Sequence, residues 1–446
     1  MSGIISERQE LIDYFSNFCS SQEEMKIGAE FEKLGVFYPS GKAIPYSGRS
    51  GVANVLSHLS QKFRWESIKE NDKLIALSRR DSRITLEPGS QIELSSSVLN
   101  NIHQIKKEWE NFVGEIKSFS ELSNIKWLGL GVQPVSRLED IEWVQKHRYK
   151  IMVPYMAKHG ELSHYMMKKT CSIQVSVDYS DEDDFTRKMR TALCLVPIVT
   201  AIFANSPISE GKINGFLSER AHIWNYTDSA RSGLIGERFF SNPQFSSYVD
   251  YALEVPMFFI IRDEQWIEVK KRTFSEYFKK GYQGYRASWD DWELHLSTIF
   301  TEVRVKSYIE LRCADCQRAQ LTPAVVAAWK GILYNQEAIR AVSSLMKGLS
   351  WVELHNLYFT VPREGLKAKL KGVRLLDIAK ELLKISYSGL KEQRQFNQDG
   401  EDESVHLEPI MELIIEDEMC PAEIIIKNWN SSWHRSINKL IEYSSY

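Results

Sequence analysis

Five glutamates fall where strand parity would gather their carboxylates. A β-strand turns successive side chains to opposite faces. Over residues 26–33, Glu30 and Glu32 share a face and Phe31 points away. Over 83–87, Arg83, Thr85 and Glu87 alternate with Ile84 and Leu86, and over 91–95, Gln91, Glu93 and Ser95 alternate with Ile92 and Leu94. Over 171–178, Ser172, Gln174, Ser176 and Asp178 alternate with Cys171, Ile173, Val175 and Val177. Over 304–312, Arg304, Lys306, Tyr308, Glu310 and Arg312 lie opposite Val305, Ser307, Ile309 and Leu311. A solvated antiparallel face is also polar. Glu is nevertheless depleted from strands, and facing rows of it repel across a sheet. Mg²⁺ relieves such repulsion through hard oxygen ligands, and Arg304 and Arg312 beside Glu310 suit phosphate or carboxylate. If these strands are neighbours, the face fits metal-assisted phosphoryl transfer from a nucleotide.

The elements that must position these residues follow. Pro88-Gly89-Ser90 reads as a hairpin turn joining two of the strands. Helical periodicity covers 1–20, 50–63, 101–123, 182–204, 373–392 and 405–417, with Ile5, Leu11, Ile12 and Phe15 as the inner face of the first. Strand signals lie between 25 and 312, and the chain beyond about 335 is mainly helical, broken by a charged spacer at 393–403 (QRQFNQDGEDE). There is no internal repeat. A nucleotide site here is neither a P-loop nor a Rossmann turn, because 209–216 (SEGKINGF) has the wrong spacing before its Gly-Lys and no G-x-G-x-x-G follows a strand. No HExxH occurs either.

Composition sets outer bounds. The chain has 446 residues, with 56 Lys and Arg against 59 Asp and Glu, a net charge of −3. That balance excludes a nucleic-acid binder, which needs a basic excess. An apolar content of 43% excludes disorder. The longest apolar run, residues 194–204, is too short to span a membrane and contains Pro197. The N-terminus, with Glu7, Glu10 and Asp13, does not read as a signal peptide. Six cysteines are too few for a disulfide scaffold, which points to the reducing cytoplasm. The pair Cys313 and Cys316, in RCADC, cannot complete a zinc site alone and reads as two plain thiols, with a redox pair as the other possibility.

Seven segments carry a resemblance: KIGAEFEKLG, ITLEPGSQIELS, HRYKIMVPYM, CSIQVSVDYS, FANSPISEGKINGFLSERAHIW, YVDYALEVPMFF and WDDWELHLSTIFTEVRVKSYIELRCAD. In this order and spacing, over about residues 25–335, they resemble glutamate–cysteine ligases of the plant and proteobacterial type. The resemblance implies an α+β, glutamine-synthetase-like catalytic fold: a curved antiparallel sheet with a polar active-site face and helices packed outside. It implies one catalytic domain over 1–446, with a sheet-containing core (1–335) and a helical region (336–446) packed on it. The implied reaction, the first step of glutathione biosynthesis, uses ATP and Mg²⁺ to join the γ-carboxylate of L-glutamate to the amine of L-cysteine through a γ-glutamyl phosphate. The alternatives are another amine acceptor or a silent nucleotide- or glutamate-binding paralogue. Carried onto this chain, the metal carboxylates are Glu30, Glu32, Glu87, Glu93 and Glu310. Gln174 contacts metal or substrate, and Arg312 with Glu310 serves the phosphoryl transfer. Arg148 and Arg220 hold substrate carboxylate, since a guanidinium fork does so bidentately. Tyr149, His222 and Trp224 wall the pocket. Residues 79–83 and 206–214 are candidate closing loops. No nucleic-acid or membrane partner is implied, and the protein is expected to be a monomer or homodimer. Where the plant enzymes have a cysteine in an LCALP-like stretch, this chain reads AQLTPAV.

Overall fold

The computed structural model describes residues 3–446, apart from the side chains of residues 121 and 122, so the first two residues of the expected N-terminal helix lie outside it. Nine strands form the main sheet: β1 (Ile27–Phe37), β2 (Glu66–Glu70), β3 (Lys73–Arg79), β4 (Ser82–Leu86), β5 (Ile92–Ser95), β6 (Ile125–Leu128), β7 (Ser172–Val177), β8 (Val303–Val305) and β9 (Ile309–Asp315). Their order is β8-β9-β7-β1-β5-β4-β3-β2, with β6 paired to the far end of β1. Every pairing is antiparallel.

The alternation that suggested strands also divides the faces. Phe31, Ile84, Ile92, Leu94, Ile173, Val175, Val177, Ile309 and Leu311 are all buried in the core. Helices cover that face, among them α1 (Ile102–Ser123), α2 (Glu182–Ile202) and α3 (Thr322–Leu333). The apolar run 194–204 lies in α2 and the turn after it and is buried throughout, which is why it is apolar without being a membrane segment. Among the described residues, no helix is long and apolar enough to cross a membrane.

Three expectations change. The stretch 304–312 is a hairpin, not one strand, turning at residues 306–308 between β8 and β9. Parity survives because Arg304 stands opposite Glu310, so both remain on one face. Residues 79–83 form the tight turn between β3 and β4, and Arg79 is tied to Glu115 at 2.7 Å, so this segment is no closing loop. The helix expected over 405–417 is broken into a 3₁₀ turn (Glu403–His406), a short α turn (Glu408–Met411) and a π turn (Glu412–Glu416). Pro409 has no N–H with which to continue the preceding turn, so a new one starts around it.

Candidate active site

Sheet register assembles the polar face. Glu30 lies opposite Ser95 on β5 and Gln174 on β7. Glu32 lies opposite Glu93, which lies opposite Thr85. Glu87 directly follows β4 in the turn that returns the chain to β5, closed by the Glu87 N–H donating to Gln91 O at 2.9 Å. That turn is held from outside: Lys146 Nζ at 2.7 Å and Tyr149 Oη at 3.2 Å both donate to Leu86 O. Gln91 Nε2 fastens its other arm to Thr170 O at 2.9 Å. Lys146 carries no signal that sequence reasoning used, and Gln91 was read only as a member of the polar strand face. Their work is done on backbone carbonyls distant in the chain.

The carboxylates fall into two electrostatic groups. Burial, then neighbouring Glu87, lifts the Glu32 carboxyl to about 7, against the opposing pull of Arg220 and Arg312. Burial, then Glu30, Glu87 and Glu32, raises Glu93 well above the carboxylate range. Burial and Glu310 raise Glu30. These shifts share a cause, namely anions crowded out of water without enough cations of their own. A divalent cation supplies that charge, so the donor chemistry of Glu30, Glu32, Glu87 and Glu93 fits Mg²⁺. They share a face without converging: among the described residues, no three His, Cys, Asp or Glu side chains stand as a ready-made cation site.

Glu310, expected in the same set, stands in a different environment. Its Oε2 meets Arg304 at 2.5 Å and Arg312 at 2.8 Å, and its Oε1 meets Lys306 at 3.0 Å. Burial would raise its carboxyl, but those three cations hold it far below the usual range. Gln174 joins the two groups: its Nε2 donates to Glu32 Oε1 at 3.2 Å, and its Oε1 accepts from Arg312.

Arg312 sits at a β-bulge. Leu311 pairs with Val175 and Ala314 with Ile173, so β9 has one extra residue opposite Gln174. Bulges re-aim side chains and flip the parity beyond them. The flip brings Asp315 to the polar side, where it accepts from Asn205 N, Ser206 Oγ and Ser218 Oγ at 2.7–2.8 Å. Asp315, which sequence parity did not reveal, thereby fixes the start of α4 (Glu219–Asn225). Arg220 and Trp224 are one turn apart on α4, and Trp224 lies 5.9 Å from both the Arg220 and Arg312 guanidinium carbons. Arg220 Nη2 donates to Arg312 O at 2.6 Å, while Arg220 Nη1, 4.0 Å from Asp315 Oδ1, and Trp224 Nε1 are buried without a hydrogen-bond partner among the described residues.

Arg148 is half-buried beside Tyr149, and its Nε also lacks a partner. His222 does not join the group. It points from the other side of α4 and stacks on Phe216 at 4.0 Å, where burial and Arg363 lower its pKa. The segment 206–214 forms a small hairpin, with Gly211 N–H bonded to Pro134 O. Cys316 faces Cys171 across β7 and β9, its N–H donating to Cys171 O at 3.0 Å, whereas the Cys313 carbonyl receives Thr200 Oγ1.

The family model described as glutamate-cysteine ligase family 2 (GCS2) matches residues 26–442. The chain belongs to this family. The match extends well past residue 335, where the resemblance read from the sequence stopped, so the helical C-terminal region shares in it. The chloroplastic glutamate–cysteine ligase of Brassica juncea is 37% identical over 442 residues, covering 98% of this chain and 84% of its own length. Ligase B of Oryza sativa subsp. japonica is 37% identical, covering 98% and 87%. A crystal structure of glutamate–cysteine ligase from Francisella tularensis in complex with AMP superposes with a TM-score of 0.52 at 12% identity, over 94% of this chain and 88% of that one, a likeness of fold. The plant relatives are named chloroplastic, which corrects the cytoplasmic reading. All six cysteines are free, but free thiols mark a reducing compartment in general and do not single out the cytoplasm.

Proposed function

We propose that this protein ligates the γ-carboxylate of L-glutamate to the amine of L-cysteine at the expense of ATP, as the first step of glutathione biosynthesis. The observation that carries the reading is one sheet face on which an acidic group with raised pKa values adjoins Arg312 and Arg220, in a chain of this ligase family. Carboxylate is a poor electrophile, and phosphorylation gives it a leaving group. The chain must therefore bring two anions together. Glu30, Glu32, Glu87 and Glu93 are the residues that would hold Mg²⁺, and the metal would supply positive charge to the phosphoryl oxygens. Arg312, aimed by Glu310 and Gln174, stabilises charge on the transferred group. Arg220 and Arg148 bind substrate carboxylate through guanidinium atoms that have no hydrogen-bond partner among the described residues, Arg220 Nη1 standing 4.0 Å from Asp315 Oδ1. Trp224 and Tyr149 exclude water, which would otherwise hydrolyse the acyl phosphate.

The test is ADP release with Mg²⁺, ATP and glutamate, comparing cysteine with other small amines. Cysteine should accelerate it most, and Arg312→Ala should lower kcat by about 10²–10³. Release that ignores glutamate would defeat the ligase reading, and selective acceleration by another amine would replace cysteine as the acceptor.

A further inference from the structure

Three cations converge on Glu310, and they are not held alike. Arg304 is almost fully buried and its Nη1 donates to two backbone carbonyls, Ser297 O at 3.2 Å and Ile299 O at 3.1 Å. Arg312 is fixed by Gln174 as well as by Glu310. Among the described residues, Lys306 has as hydrogen-bond partners only Glu310 Oε1 at 3.0 Å and Tyr308 Oη at 3.3 Å. Its side chain keeps 24% of its exposure, against 6% for Arg304 and 10% for Arg312. It rises from the turn between β8 and β9, at the edge of the sheet, on a flexible four-carbon stem. Glu310 would also lose least by releasing it, because both guanidinium groups stay on Oε2.

We propose that Lys306 is a phosphate-binding arm: Glu310 parks its ammonium beside the site, and the triphosphate of the incoming nucleotide draws it off. This deepens the ligase reading and rests on it. Three positive charges pair with the buried Glu310, and Glu30 is the further carboxylate that feels them, so the patch keeps an excess of cations. A polyphosphate supplies several anions in a row, whereas a single carboxylate would be served by one fork. Arg304 Nε, buried without a partner, is a further donor on the same patch. Lys306 is thus the mobile member of a receptor whose other members are rigid.

Calorimetry with Mg²⁺ and the non-hydrolysable imido analogue of ATP, on the full chain, tests this beside steady-state kinetics. Lys306→Met should weaken analogue binding at least about tenfold, leave the glutamate KM within about twofold, and preserve the melting temperature. Lys306→Arg should recover most of the affinity. Unchanged analogue binding in Lys306→Met overturns the proposal, as does an equal rise in the glutamate KM, which marks a purely structural role. If the wild-type protein itself binds no analogue, the ligase reading falls with it. A wild type that binds and turns over, beside a Lys306→Met that binds equally well, refutes only the arm.

Discussion

Withdrawing Mg²⁺ while raising pH should destabilise this protein, with Glu32 as the principal reporter. Its carboxyl stands at about 7 in the fold against 4.5 in the free side chain, through burial and then Glu87. Below about pH 4.5 it is protonated in both the folded and unfolded states and contributes no penalty. As pH rises from there towards 7, the unfolded chain gives up the proton while the folded chain retains it, so stability falls. Above the folded value the loss is complete, and it amounts to about 3 kcal/mol for this one group. A cation bound to the acidic group reverses the effect, because ligand carboxylates must be deprotonated. At pH 7 Glu32 alone should release about half a proton on Mg²⁺ binding. The assay is urea unfolding in EDTA and in excess Mg²⁺, at pH values from about 5 to about 8, for wild type and Glu32→Gln. In EDTA, wild type should lose about 2.5 kcal/mol relative to Glu32→Gln across that window, and Mg²⁺ should stabilise wild type far more at the upper end. A stability difference that stays flat with pH would refute the reasoning. So would Mg²⁺ stabilisation of equal size at both ends.

Other perturbations follow from the same contacts. Lys146→Met removes the ammonium from Leu86 O and loosens the turn bearing Glu87. The Mg²⁺ concentration for half-maximal ADP release should rise about tenfold with little change in melting temperature. In Gly89→Ala the new Cβ would lie 2.3 Å from Lys168 O, so the hairpin between Glu87 and Glu93 must move. About 1–3 kcal/mol of stability should be lost in urea unfolding, together with Mg²⁺ affinity. We also propose that residues 336–446 fold as one unit with residues 1–335. Glu403, fully buried, binds Lys330 Nζ at 2.5 Å and the Ile102 N–H at the start of α1 at 2.5 Å. Glu403→Gln should shift a single unfolding transition by about 3–5 kcal/mol and leave kcat unchanged; two separate transitions would count against one unit.

The face was legible because parity is a local property. Misreading 304–312 as one strand did no harm, since residues paired across a hairpin keep their side. The bulge is different. Nothing in RCAD announces the extra residue, so Asp315 was assigned to no face and its hold on α4 went unseen. Lys146 was equally illegible, because it acts on a carbonyl sixty residues away. His222 is a miss that helical geometry could have prevented. Arg220 and Trp224 are four residues apart and share a face, while a residue midway between them is turned roughly 200° away. Proximity in the motif SERAHIW was mistaken for proximity in space.

The arrangement around Gln174 explains how opposite charges can share one sheet face without cancelling. To one side lie Glu32 and Glu93, raised by burial and then by neighbouring carboxylates, with Glu87 beside them; to the other lie Arg304, Lys306 and Arg312 around Glu310. If Arg312 paired with Glu32 directly, the acidic group would lose its appetite for a cation and the arginine its capacity for phosphate. Gln174 stands between them, donating to Glu32 and accepting from Arg312. An amide can do both at once, through separate nitrogen and oxygen atoms, while carrying no charge. A carboxylate there would capture the guanidinium and repel Glu32, and an ammonium would do the reverse. Arg312, at the bulge opposite Gln174, bonds to Gln174 while keeping its bond to Glu310. Sheet register, one amide and one extra residue thus keep apart two charge groups that the proposed chemistry requires side by side.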